Sequence, residues 1–188
     1  MTDAADEKVT GNASGGSAEG IAAAITRATK KGPPPVHLWN PPFCGDLDME
    51  IRADGTWFYQ GTPIGRPAMV RLFSTILKRE GDGFFLVTPV EKVGIRVVDA
   101  PFVAVDADIL ADAVTFTTNV GDRVTAGPDN PITLRGTGDA PRPYVHVRAG
   151  LDALIDRKTF YRLVEAAEPD ASGRLTLRSQ GATFTLEG

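Results

Sequence analysis

The sequence predicts an α+β protein of two similar lobes that arose by internal duplication, each with an antiparallel sheet and one packed helix. Three observations carry that prediction. Strand-type alternation begins at Leu47 and recurs to the end of the chain, punctuated by turn residues. Two amphipathic stripes at helical spacing interrupt it, each followed by further strand signal. The stretch "IGRPAMVRLF", Ile64 to Phe73, reappears in the second half as "IDRKTFYRLV", Ile155 to Val164, with Ile64/Ile155, Arg66/Arg157, Arg71/Arg162 and Leu72/Leu163 agreeing. Their apolar stripes also correspond: Met69, Leu72, Phe73 and Ile76 match Phe160, Leu163, Val164 and Ala167.

Taken in order, residues 1–36 read as a flexible tail with one short helix. Thr2 to Gly20 are rich in Ala, Gly, Ser and Asp, too poor in apolar surface to offset the entropy of ordering. The helix lies in "EGIAAAITRATKK", where Ile21 and Ile25 are one turn apart, and it must stop at Gly32 and the three prolines Pro33 to Pro35. The first lobe, 37–100, opens on alternation at Leu47, Met49 and Ile51, turns at Asp54-Gly55 and returns through Trp57 to Tyr59. Pro67 suits the first position of a helix, whose stripe runs through Met69, Leu72, Phe73, Ile76 and Leu77 to a stop at "EGDG". "FFLV" and "VEKVGIRVV" read as strands. The second lobe, 101–188, continues with strands at "PFVAV", "VTFTTN", "PITLR" and "YVHVRAG". A helix then begins near Asp156 as N-cap, and a closing hairpin turns at Gln180-Gly181.

Composition excludes several classes. The 188 residues carry 20 Lys+Arg against 24 Asp+Glu, a net charge of −4, which argues against general nucleic-acid binding because phosphate neutralisation needs a basic surface. One cysteine, Cys44, cannot form an intrachain disulfide. The first residues lack an apolar run of signal-peptide length, and no stretch is apolar enough to span a membrane, so a soluble, cytoplasmic protein is expected.

Chemistry-bearing motifs are sparse. His37 and His146 are the only histidines, far apart in sequence, and neither they nor Cys44 make a recognised zinc spacing; no cofactor is expected. The acidic run Asp106, Asp108, Asp112 lacks the glycine and distal Glu of a calcium loop. No glycine pair is followed by the Lys-Ser/Thr of a phosphate loop. What remains is a set of charges. Alternation along "VEKVGIRVVD" puts Glu91 and Asp99 on a face that reads as core, where a carboxylate needs a cationic partner. Arg66, just before its helix, is the candidate. Two readings stand: a structural ion pair, or an anion pocket formed by Arg66, Lys92 and a helix N-terminus. Trp39, Trp57 and Tyr59 read first as packing, and Asn119 and Asp122 first as turn residues.

Trp39-Asn40-Pro41, Gly45, Asp48, "DGTWFYQGTPI" with Arg66, "LVTPVEKV", "DAPF", "TNVGD" and "YVHVRAGLDALIDRKTFYRLVE" occur in that order. In these pieces, which span nearly the whole chain after the tail, the sequence resembles a bacterial family of unknown function, DUF1285. The resemblance implies a duplicated α+β core, a second lobe similar to a pleckstrin-homology-type barrel, and a ligand pocket at the lobe junction. It further implies a nucleotide-like ligand and a part in signalling, and it carries over no catalytic residue.

The candidate ligand-binding set is therefore Asp48, Tyr59, Arg66, Glu91, Lys92, Asn119 and Asp122. The expected function is a non-enzymatic binding or sensor module in bacterial signalling, holding a small anionic, nucleotide-like ligand between the lobes and acting on a signalling partner. Two alternatives stay open: a hydrolase or transferase with Glu91 or Asp99 as general base, and a protein-interaction domain that presents an apolar patch or strand edge.

Overall fold

A helix forms where Ile21 and Ile25 recur, but it belongs to the body of the protein. In the computed structural model, which describes residues 16–28, 33–136 and 141–187, α1 (Ala18–Ala28) buries Ala18, Ile21 and Ile25 in the main core and packs on a second helix. Two isoleucines one turn apart suffice as an apolar stripe for one face, whereas composition averaged over the segment dilutes them. The stop expected at Gly32, and most of the expected tail, lie outside the described residues.

The first lobe begins with β1 (Phe43–Ile51), β2 (Trp57–Tyr59) and β3 (Thr62–Pro63), continues through α2 (Pro67–Thr75), and closes with β4 (Leu77–Glu80), β5 (Gly83–Val87) and β6 (Lys92–Val97). Pro67 does occupy the start of α2, with Arg66 at the N-cap. The helix is shorter than its stripe suggested. It ends at Thr75, and Leu77–Glu80 is a strand paired with β5, so "EGDG" closes a hairpin and not a helix. Leu77 and Ile76 satisfy either period, and pairing of Leu77 with Leu86 decides for strand. The β1–β2 turn at Asp54-Gly55 forms as expected: Asp54 Oδ1 accepts from Thr56 N at 2.9 Å, and Gly55 takes a φ of +82°.

The second lobe runs β7 (Phe102–Leu110), β8 (Ala113–Thr118), β9 (Arg123–Thr125), β10 (Ile132–Arg135), β11 (Arg142–Arg148) and β12 (Leu151–Ile155), then α3 (Arg157–Ala166). Asp156 caps α3 by accepting from Thr159 N at 2.7 Å. A small sheet of β13 (Glu168–Pro169), β14 (Leu175–Ser179) and β15 (Ala182–Thr185) ends the chain.

The two large sheets share one design. The first has the order β3-β2-β1-β6-β5-β4 and the second β9-β8-β7-β12-β11-β10, the same order counted within each lobe. Each joins two antiparallel meanders through one parallel pair, β1 with β6 and β12 with β7, so the sheets are mixed. The helices occupy different places: α2 follows the third strand of its sheet and α3 follows the sixth. Duplication is thus carried by strand order, whereas the helical repeat falls at different points of the two lobes and is not part of it. One apolar cluster, including Ile25, Ile51, Phe73, Phe102, Phe116 and Leu163, spans both lobes and α1. No helix among the described residues is long and apolar enough to cross a membrane.

Candidate functional site

Between the lobes lies a cleft of about 420 Å³. Its floor comes from the end of α2 and the start of β4 (Thr75, Leu77, Lys78, Arg79), and one wall from Pro33, Pro34, Val36 and His37. The other wall is the second lobe: Asp122 from the β8–β9 turn and Arg148, Ala149 and Leu151 around the β11–β12 turn.

A break in strand register explains why Arg148 points here. The register of β11 on β12 shifts between His146 and Arg148, and such an irregularity re-aims the side chain that follows it. The chain then reverses at Ala149-Gly150, both with positive φ, +45° and +77°. An alanine at such a position is strained, since its Cβ crowds the backbone. Arg148 pairs with Asp122, donates from Nη2 to Ser74 O at 2.9 Å, and lies 5.0 Å from the Phe102 ring centroid. Arg79 crosses in the opposite sense, its Nη1 donating to Gly150 O at 3.2 Å. Lys78 Nζ donates to Trp39 O at 3.4 Å and pairs with Glu80 at 3.0 Å.

Cations from both lobes therefore meet in one cavity whose single carboxylate among the described residues, Asp122, is already engaged by Arg148. Arg79 also donates from Nε to Gly81 O at 3.0 Å, and since each guanidinium carries five N–H donors these bonds still leave several free. His37 is exposed and has no partner among the described residues. Such an arrangement favours an anion.

The sequence-derived candidates are dispersed. Asp122 lines the cleft. Asn119 sits on the same turn but bonds at a second point of lobe contact: Oδ1 accepts from Val103 N at 3.0 Å and Nδ2 donates to Gly55 O at 3.1 Å. Asp48 is exposed on β1 near Arg96, and Tyr59 is half-buried against the core. Lys92 pairs with Glu80 at 2.7 Å and lies 5.2 Å from the Phe85 ring centroid. Glu91 falls in the β5–β6 turn, before the strand on whose core face it was expected, and its carboxylate lies against Gly16 at the entry to α1.

The proposed Arg66 pairing is not formed. Arg66 is exposed at the N-cap of α2, caps no backbone N–H there and makes no ion pair among the described residues. Asp99 finds its partners in the second lobe instead: Tyr144 Oη donates to it at 2.7 Å and Arg142 pairs with it at 2.9 Å. Burial, then that contact, raises the Tyr144 phenol to about 12. Neither Asp99 nor Glu91 lines the cleft. Among the described residues no group of three or more His, Cys, Asp and Glu side chains could hold a metal ion.

Arg79, Arg148, Lys78 and His37 were not in the sequence-derived set. Arg148 had a signal, a cation sharing a strand face with Tyr144 and His146, but the bulge that turns it leaves no local trace.

Comparison with known proteins matches the DUF1285 N-terminal domain model (domain of unknown function) to residues 34–100 and the DUF1285 C-terminal domain model to residues 101–186. Among solved structures, the chain is similar to a DUF1285 family protein from Silicibacter pomeroyi, with 60% identity, TM-score 0.80, and coverage of 88% of this chain and 93% of that one. It is also similar to a DUF1285 family protein from Shewanella baltica, with 28% identity, TM-score 0.54, and coverage of 65% and 94%. No curated protein matches it.

Proposed function

The chain belongs to the DUF1285 family, and from that premise we propose that it is a non-enzymatic ligand-binding or sensor module in bacterial signalling, holding a small anionic ligand in the cleft between its lobes. The observation that carries this reading is the convergence of Lys78 and Arg79 from the first lobe with Arg148 from the second in a cavity of about 420 Å³, within the size range of ligand sites. The lobes are coupled where the ligand would sit, since Arg148 reaches Ser74 and Arg79 reaches Gly150. An anion drawing on either guanidinium would change those cross-lobe bonds, which is the element a sensor needs.

The test is thermal-shift screening of the full chain with inorganic phosphate, nucleotides and small carboxylates. A ligand at about ten times its Kd adds about 1.4 kcal/mol, or roughly 3–6 °C in a chain of this size. Arg79→Gln should abolish that shift. No stabilisation by any member of the panel would count decisively against the reading.

A further inference from the structure

From the cleft's lining we infer that its ligand is an amphiphilic anion: a phosphate or carboxylate head on the Arg79/Arg148 pair, with a flexible aliphatic body along the apolar wall. This rests on the anion-binding reading above and names the class of ligand. The wall is made of Pro33, Pro34, Val36, Leu77, Ala149 and Leu151, aliphatic throughout. Among the described residues no Phe, Tyr or Trp lines the cavity, and the one ring in the lining is the His37 imidazole, a smaller surface for a base than the aliphatic wall offers a chain; the Phe102 ring lies against Arg148 and is not part of the lining.

The polar end is equally specific. Arg79 donates to Gly150 O, and Arg148 stands two residues before that carbonyl, so the two guanidiniums flank the Ala149-Gly150 turn. Among the described residues only Asp122 offsets them within the cavity, and Asp82, near Arg79 Nη2 at 3.9 Å, is fully exposed. Three cations, the Arg79/Arg148 pair and Lys78, with one engaged carboxylate and an aliphatic surface in one cleft describe a head-and-chain ligand: the head gains charge-assisted hydrogen bonds and the body leaves water.

The experiment is a calorimetric series on the full chain with inorganic phosphate, then ethyl, butyl and hexyl phosphate below their aggregation concentrations, and adenosine monophosphate in parallel. Each methylene taken into the cleft should tighten Kd by about fourfold, until the cavity is filled. Val36→Asn, a half-exposed position, should flatten the dependence on chain length while leaving inorganic phosphate unchanged. A Kd independent of chain length, or adenosine monophosphate binding more tightly than hexyl phosphate, overturns this inference and leaves the anion reading standing. Absence of binding in every arm, inorganic phosphate included, removes both.

Discussion

Asn119 and Gly55 close on each other across the lobe junction, with Asn119 Nδ2 donating to Gly55 O at 3.1 Å while its Oδ1 accepts Val103 N at 3.0 Å. A Cβ added at Gly55 would stand 2.6 Å from that same Nδ2 and 2.9 Å from Val103 Cγ2. Asn119→Ala leaves a backbone donor and acceptor without their partner and should cost about 1–3 kcal/mol. Gly55→Ala should cost more, because it adds this clash to the roughly 1–2 kcal/mol of placing a side chain at positive φ. Gly61→Ala is the control: its φ is +74° and nothing lies within 4 Å, so only the backbone cost applies. Urea denaturation of the three variants decides the matter. Equal losses for the two glycine variants would mean that the junction is slack.

Ser179 ties the C-terminal sheet to the second lobe. Its hydroxyl is fully buried, accepting from Val114 N at 2.9 Å and donating to Ala126 O at 2.7 Å. Ser179→Ala strands both groups at a fully buried position, so a loss of about 2–4 kcal/mol is expected. Ser179→Cys keeps a weak donor and should fall between. Hydrogen exchange at Val114 would report the rupture directly, and unchanged protection there in Ser179→Ala would show that the contact contributes nothing.

How legible all this was depends on the range of the interaction concerned. The Asp54-Gly55 turn, Pro67 at the head of α2 and the Asp156 cap are set by neighbours a few residues apart, and each could be read from the sequence. The parallel pairs β1/β6 and β7/β12 join strands distant in sequence and impose no local pattern, so antiparallel sheets were expected where the sheets are mixed. The site follows the same rule. Asn119 and Asp122 stood out because they crowd a turn, and that turn does meet the first lobe. Arg66 stood out for its place before a helix, yet an N-cap side chain points to solvent as readily as to a partner. Asp99 was recognised as a carboxylate in need of partners, but Tyr144 and Arg142 lie on a strand that alternation alone could not place beside it.

Acid should weaken the fold through carboxylates, exposed at Asp106 and half-buried at Glu50, Glu80 and Asp170, whose folded-state values are depressed. Hydrogen bonding from Arg96, then Arg52, lowers Glu50; Lys92, then Lys78, lowers Glu80; and Arg162 lowers Asp106. The Ser172 hydroxyl, ahead of backbone donors, takes Asp170 down to about 2. A depressed folded value gives stability that is present above the unfolded pKa and lost as pH falls through the folded one. The urea midpoint should therefore hold from neutral pH to about 5 and decline from there toward 2. Asp170→Asn should be less stable than the parent at neutral pH and converge with it near pH 2. A constant gap across that range would remove ionised Asp170 as the cause.

The alkaline side isolates one residue. Tyr144 is almost wholly buried and donates to Asp99 at 2.7 Å, and burial followed by that bond raises its phenol to about 12. A raised folded value carries the opposite sign: the stabilisation is complete below the unfolded value of 10 and drains away as pH climbs toward 12. Folded protein should thus show a late phenolate transition near 295 nm, approached together with loss of structure by circular dichroism. Tyr144→Phe should delete that transition and make stability less sensitive to alkali. At neutral pH the same variant withdraws the hydroxyl from a carboxylate whose other oxygen is ion-paired with Arg142, at a cost of about 1.5–3 kcal/mol for a hydrogen bond to a charged group. The two effects cross, leaving Tyr144→Phe less stable than the parent at pH 7 and closest to it at the alkaline extreme. If the late transition survives in Tyr144→Phe, the phenol that titrates last is not the one bound to Asp99.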